Sequence, residues 1–173
     1  DLTVDAVKSA IHTYGALIVR GYFSTQRCAH FRDRIDIVLE TCTRAIDDRG
    51  IYQGHKENKD LQKVFHPWGE GPKNKAVRVS PFVADVGGMQ TFMSPGISQE
   101  LISAFRDLGL KDLMTAYFGD DSLMSLNKSV LRRSNPPAGP VDWHQDGAFM
   151  GDNIESLNIW VALTGCGPGT PRG

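Results

Sequence analysis

The sequence predicts an α+β protein in which helices come first and strands follow. Over roughly the first 120 residues, apolar side chains recur three or four positions apart, which is the spacing of amphipathic helices. From Ser122 onward, apolar and polar residues alternate, which is the spacing of a β-strand. We therefore expect a single domain over residues 1–173, helical at about 1–120, with a β core that starts at about residue 122.

The composition is that of an ordinary globular domain. Hydrophobic residues make up 40% of the 173 residues, charged residues make up 23%, and the formal net charge is −1. This charge provides no basic surface for nucleic acid, so we expect no nucleic-acid partner. No apolar run approaches the length of a membrane span, so we expect no membrane-spanning segment in these residues.

The three cysteines, Cys28, Cys42 and Cys166, lie far apart and form no C-x-x-C pair. An odd number of widely spaced cysteines favours reduced thiols over a disulfide framework, so we expect a cytoplasmic protein.

The N-terminal part predicts two helices and a strand. Residues 3–14 have helical periodicity and are followed by Gly15, a helix breaker. The β-rich run at 16–19 predicts a short buried strand. Ser24 is a candidate N-cap for the second helix. The apolar stripe of that helix, which includes two of the cysteines, consists of Cys28, Phe31, Ile35, Val38, Leu39, Cys42 and Ile46.

The middle of the chain predicts a loop and two further helices. The polar, glycine-containing stretch at 47–75 predicts a solvated loop or lid. A third helix is expected to begin at Ser98, and a shorter one at about 111–118 to end at Gly119. The inward face of the third helix is expected to consist of Leu101, Ile102, Phe105 and Leu108.

The C-terminal part predicts strands. A strand runs on from Ser122, and the single Pro-Pro pair within 135–140 predicts a turn because consecutive prolines cannot continue a ladder. A further strand is predicted at 156–164. One of its faces is apolar (Leu157, Ile159, Val161, Leu163), and the other is mixed and suited to line a pocket (Asn158, Trp160, Ala162, Thr164).

The segment W-H-Q-D-G at 143–147 carries the clearest chemical signal. In an extended segment, His144 and Asp146 share a face and can direct an imidazole nitrogen and a carboxylate toward one point. These are two of the three ligands of a 2-His-1-carboxylate Fe(II) site, which leaves positions open for a co-substrate and O2. No second His at a suitable place follows before Gly173, so we expect the natural protein to continue beyond this residue.

Several motifs together resemble the phytanoyl-CoA dioxygenase family. They are the strand and Pro-Pro turn at 131–137, the W-H-Q-D-G segment, the I-W-V-A-L-T strand at 159–164 and the G-A-L-I-V-R-G-Y run at 15–22. The resemblance implies an Fe(II)- and 2-oxoglutarate-dependent dioxygenase. It also implies a double-stranded β-helix (jelly-roll, cupin-like) core with N-terminal helices packed against it, of which the C-terminal part lies outside this chain.

The resemblance also implies roles for individual residues. His144 and Asp146 match the first two iron ligands and are therefore the expected catalytic residues. The distal His of the family, and the following Arg that holds 2-oxoglutarate, have no match before Gly173.

Four residues are expected to bind the co-substrate. Trp160 matches an aromatic residue that packs near 2-oxoglutarate. Many members carry a Lys just before the Pro-Pro turn, where this chain has Asn135. The 2-oxoglutarate carboxylate is therefore expected to depend on Arg133, Ser129 or Asn158.

The expected reaction is hydroxylation of a small-molecule C–H bond with O2. Related halogenases replace the carboxylate ligand with a small residue, whereas this chain retains Asp146. The substrate class stays open between an acyl-CoA, an amino acid and a natural product. Two other functions also stay open: a cupin-like metal-binding protein, and a catalytically inactive β-helix module that acts by binding.

Overall fold

The computed structural model describes residues 2–45, 88–133 and 153–166. In these ranges, none of the helices is long and apolar enough to cross a membrane. The secondary-structure elements of these ranges are α1 (Val4–Tyr14), α2 (Thr25–Ala45), β1 (Gly88–Gln90), a 3-10 turn (Thr91–Met93), α3 (Pro95–Asp107), α4 (Leu110–Phe118) and β2 (Val130–Arg132). The predicted loop at 47–75 and the predicted turn at 135–140 lie outside the described residues.

Local signals define α1 as predicted. The Thr3 side chain accepts a hydrogen bond from the Ala6 backbone N–H at 3.3 Å and caps the N-terminus. Gly15 ends the helix at φ 71°, and its N–H donates to the carbonyl of Ile11 at 2.8 Å. Val7 is buried on the inner face, and α1 packs against α4.

The predicted buried strand at 16–19 is wrong for this structure. These residues are extended but form no ladder with any described strand, and Ile18 is 78% exposed. Strand formation depends on a neighbouring strand and a covering face, so β-branched residues alone do not determine it.

Helix α2 begins where the sequence predicts. The Ser24 hydroxyl accepts a hydrogen bond from the Arg27 backbone N–H at 3.2 Å and caps the helix. The predicted stripe is buried at Phe31, Ile35, Val38 and Leu39, and Cys28 packs half-buried against the core, as predicted for a core cysteine. The side chains of Cys42 and Ile46 lie outside the described residues.

Helix α3 begins at Pro95, earlier than the predicted start at Ser98. Proline is favoured in the first turn because its fixed φ suits a helix and no helical hydrogen bond is lost there. Ser98 lies inside the helix, and its hydroxyl donates to the carbonyl of Thr91 at 2.6 Å. Helix α4 ends before Gly119 at φ 77°, as predicted.

Strands β1 and β2 form a two-stranded antiparallel sheet in which Met89 is paired with Leu131. Both of these side chains are buried in the core. The sequence did not predict β1. It also predicted a longer second strand from Ser122, whereas residues 126–128 form a turn before β2. There the Ser129 hydroxyl donates to the carbonyl of Ser125 at 2.8 Å, a local hydrogen bond that competes with ladder formation.

The burial predicted for one face of 156–164 is seen in part, since Leu157, Val161 and Leu163 are half-buried, and the segment pairs with no described strand. Val161 and Leu163 pack against the core, whereas Trp160 is 76% exposed. The prediction fails at Ile159, which is 51% exposed. The predicted ladder at 156–164 is therefore not formed here, because no neighbouring strand lies beside it within the described ranges.

The core lies between α2, α3 and the sheet. It contains Phe23, Phe31, Ile35, Val38, Leu39, Met89, Met93, Ile97, Ala104 and Leu131. The described residues therefore form a mixed helix and small-sheet structure, in which residues of α2 share a core with Leu131 of β2. A jelly roll is not seen among them.

Candidate functional site

The predicted iron ligands, His144 and Asp146, lie outside the described residues. Within the ranges that the structure describes, no three His, Cys, Asp or Glu side chains come together in a group that could hold a metal ion. The described parts of the chain on either side of these predicted ligands are β2 with Arg133 and the segment 153–166.

Ser129 and Arg133 flank strand β2, which precedes the H-x-D segment. The Ser129 side chain is half-buried, and its hydroxyl donates to the carbonyl of Ser125. The backbone carbonyl of Ser129 accepts from the N–H of Thr91 at 2.8 Å, which extends the pairing of β1 with β2. The backbone is thus fixed at this end of β2.

Arg133 is directed toward helix α2. Its Nη1 atom lies 3.0 Å from Oδ1 of Asp36 and 3.7 Å from Oε1 of Glu40. The Arg133 side chain is 35% exposed, and that of Asp36 is 38% exposed. The Nε atom of Arg133 is enclosed and has no hydrogen-bond partner. The Nη1 atom of the guanidinium thus contacts two carboxylates, and its Nε–H donates no hydrogen bond to the described residues.

Asn158 and Trp160 lie two residues apart in the extended segment 153–166. Both side chains are exposed, whereas Val161 and Leu163 are turned to the core. Packing of these two apolar residues therefore presents Asn158 and Trp160 on the opposite, accessible side of the segment.

The comparison with protein families assigns the chain. The family model described as phytanoyl-CoA dioxygenase (PhyH) matches residues 11–169. The chain belongs to the phytanoyl-CoA dioxygenase family. This match confirms the family resemblance predicted from the sequence. Members of the family are broadly Fe(II)/2-oxoglutarate-type oxygenases. Neither the curated proteins nor the solved structures give a match to this chain.

For this PhyH family chain, sequence reasoning did not single out Asp36 and Glu40. These carboxylates are four residues apart on α2 and therefore share a helix face. That spacing is visible in the sequence. Their partner Arg133 is 97 residues away from Asp36, and no local pattern indicates this contact.

A second polar cluster joins α2 to α3. Nε2 of His30 lies 2.7 Å from Oε2 of Glu100, and Nη2 of Arg34 lies 3.0 Å from Oε1 of the same carboxylate. His30 and Arg34 of α2 therefore contact one carboxylate of α3. The cluster borders an open groove of about 310 Å³, which is also lined by Arg27 and Asp107.

Tyr22 links the start of α2 to the turn between α3 and α4. Its hydroxyl donates to the carbonyl of Leu108 at 3.0 Å, and its ring lies beside that of Phe23. Burial raises the pKa of Tyr22 above its ordinary value of 10.0. The hydroxyl therefore stays protonated and donates this hydrogen bond at neutral pH.

Proposed function

We propose that this chain is an Fe(II)- and 2-oxoglutarate-dependent dioxygenase that hydroxylates an unactivated C–H bond of a small molecule. The observation that carries the proposal is the family match over residues 11–169, which includes the His144-Gln145-Asp146 segment. An imidazole and a carboxylate are the donor types of a facial Fe(II) site, so this pair fits the metal.

His144 and Asp146 are the residues that would hold the iron. When bound, Fe(II) with 2-oxoglutarate and O2 supplies the oxidising power for C–H hydroxylation, and 2-oxoglutarate leaves as succinate and CO2. The chain would contribute these two side chains as ligands. A second His completes a ligand set of this type.

The proposal includes a jelly-roll core in a single oxygenase domain over residues 1–173. The pairing of β1 with β2 and the partial burial of one face of 156–164 support a β structure on this side of the helices. The proposed core would begin at about residue 122, after the helical part.

The proposed co-substrate residues are Ser129, Asn158 and Trp160; the sequence predicts Arg133 as a fourth. The exposure of Asn158 and Trp160 supports their role, since both are accessible to a ligand. Ser129 has a hydroxyl that could be redirected from its local hydrogen bond to a carboxylate. Arg133 differs from the other three because two carboxylates already contact its guanidinium.

The substrate class is proposed to be an acyl-CoA, an amino acid or a natural product, with O2 as the other reactant. Asp146 keeps a carboxylate where halogenases place a small residue, which favours hydroxylation. The net charge of −1 supports a small-molecule substrate over nucleic acid. We also propose that the enzyme acts in the cytoplasm, since the spacing of the cysteines favours reduced thiols.

Release of CO2 from 2-oxoglutarate by the whole protein with Fe(II) tests the function. We expect His144→Ala or Asp146→Ala to abolish this release and leave the thermal unfolding unchanged. His12→Ala is the matched control, since His12 is an exposed histidine of α1. With a genuine substrate and added chloride, mass spectrometry should detect a hydroxylated product without chlorine.

Near-normal turnover in either ligand variant would remove the basis of the site assignment, and a chlorinated product would contradict the hydroxylase assignment. Iron binding without any decarboxylation would favour the cupin-like or inactive binding module.

A further inference from the structure

The contact of Arg133 with helix α2 points to a role other than binding the co-substrate. We infer that Arg133, Asp36 and Glu40 form a clasp that fixes the end of β2 on α2, so that Arg133 is a positioning residue for the H-x-D segment. The three residues are called the α2–β2 clasp below. The effect on catalysis rests on the proposed function, whereas the clasp itself is a property of the fold.

The donors of the guanidinium favour the clasp. Arginine recognises a carboxylate most strongly through two parallel N–H groups on one edge. The edges available to a ligand use either Nη1 with Nη2 or Nη2 with Nε. Nη1 is occupied by Asp36 at 3.0 Å, and Nε is enclosed. Nη1 carries two N–H groups, so two-point binding through Nη1 and Nη2 would share Nη1 with Asp36 and would bring a further carboxylate close to Asp36 and Glu40. Two-point binding through Nη2 and Nε would require uncovering of Nε.

The acidic side of the clasp belongs to a firmly held helix. On its apolar face α2 buries Phe31, Ile35, Val38 and Leu39 in the core. A second contact ties α2 to α3, because Glu100 accepts from Arg34 and contacts His30. Asp36 and Glu40 are therefore presented from a helix that is anchored on its apolar face and through α3, and Arg133 contacts them from the residue that follows β2.

Arg133 lies shortly before the H-x-D segment in the chain, and the clasp can therefore affect the position of that segment. Arg133 directly follows β2 and precedes His144 by only eleven residues. Leu131, paired with Met89, fixes one side of β2 in the core, and the clasp fixes its C-terminal end. A displacement of about 1 Å in a catalytic group can lower a rate by about a hundredfold. Loss of the clasp should therefore act on turnover through the position of the ligands.

The experiment uses Asp36→Asn, Arg133→Gln and the double variant in the whole protein. Asp33→Asn is the matched control, because Asp33 is on the same helix and pairs with Arg32 at 3.1 Å while 67% exposed. Exposed pairs of this kind contribute little to stability. The measurements are the melting temperature, the amide exchange of β2, and kcat and KM for 2-oxoglutarate.

The clasp predicts a coupled result. Each single variant should melt about 2–4 °C lower and exchange its β2 amides faster, and the double variant should be no worse than either single one. Asp36→Asn and Arg133→Gln should each lower kcat by about tenfold and leave KM for 2-oxoglutarate within about twofold, since co-substrate binding is not lost. Arg133→Lys, which keeps the charge, should recover most of the loss, and Asp33→Asn should resemble the wild type.

Two results would overturn the inference. Melting of both single variants at the wild-type temperature would show that there is no clasp. A rise of more than about tenfold in KM for 2-oxoglutarate in Arg133→Gln, with an unchanged or lower KM in Asp36→Asn, would identify Arg133 as a co-substrate ligand. If the wild-type protein does not decarboxylate 2-oxoglutarate, the proposed function fails, and the melting and exchange measurements alone decide whether the clasp exists.

Discussion

The exposure of Trp160 allows a test of its proposed role against a role in core packing. Its side chain is 76% exposed, so it contributes little to the core, whereas truncation of a buried aromatic residue costs about 3–5 kcal/mol. We expect Trp160→Ala to leave the melting temperature unchanged and to raise KM for 2-oxoglutarate, with partial recovery in Trp160→Phe. Ile159→Ala is the control for local disturbance, since Ile159 is also exposed. A large fall in melting temperature with unchanged kinetics would make Trp160 a core residue instead.

Tyr22 provides a test of stability against pH. Tyr22→Phe removes the hydrogen bond to the carbonyl of Leu108 and should lower the free energy of unfolding by about 1 kcal/mol at pH 7. Because burial raises the folded-state pKa above the unfolded value of 10.0, the contribution of Tyr22 is complete below pH 10 and is lost as pH rises through the raised pKa. The difference in melting temperature between wild type and Tyr22→Phe should therefore be smaller at about pH 11 than at pH 7. Tyr14→Phe, at an 80% exposed tyrosine, should show no gap at pH 7, and a constant gap for Tyr22→Phe would contradict the assignment.

At the scale of elements, the cap of α2 carries a measurable part of the stability. Ser24→Ala removes the hydrogen bond from the Arg27 N–H to the Ser24 hydroxyl and should cost about 1 kcal/mol. This corresponds to a fall in melting temperature of about 2–4 °C for a chain of this size. Ser24→Asp should retain the stability, since Asp is also a good N-cap. If Ser24→Ala melts with the wild type, the cap does not hold this helix end in solution.

The helices could be predicted from the sequence because their signals are local. Ser24, Gly15 and Gly119 each act within four residues of the helix end that they define. The predicted start of α3 at Ser98 is three residues late. The inward stripe begins only at Leu101, whereas the helix begins at Pro95. Strands depend on partners that are distant in the chain, so the run at 16–19 and the ladder at 156–164 were predicted from propensity alone and do not pair with any described strand.

At the scale of the whole molecule, the least predictable feature was the contact between Asp36 of α2 and Arg133. The apolar stripe of α2 indicated which face enters the core. It did not indicate that Asp36, beside this stripe, would meet Arg133 across 97 residues. The proposed metal ligands His144 and Asp146 were predicted from a motif, which is a local signal as well. The family could therefore be predicted from short motifs, whereas the support around the site required the fold.

The distribution of apolar surface over the molecule gives the last prediction. Among the residues that the structure describes, four large apolar side chains are more than 75% exposed: Leu123 (95%), Tyr14 (80%), Ile18 (78%) and Trp160 (76%). The extended runs that contain Ile18 and Trp160 form no ladder with any described strand, and unpaired extended segments with exposed apolar side chains are templates for association. We expect residues 1–173, produced alone, to be insoluble or to behave as a molten, associating species in size-exclusion chromatography and dye binding. The combined variant Ile18→Thr, Leu123→Ser and Trp160→Ser should shift the product toward monomer, because it removes the exposed apolar groups without touching the core. A monodisperse wild-type segment that melts cooperatively would show that these side chains are covered in solution, and that the exposed runs pair with parts of the segment itself.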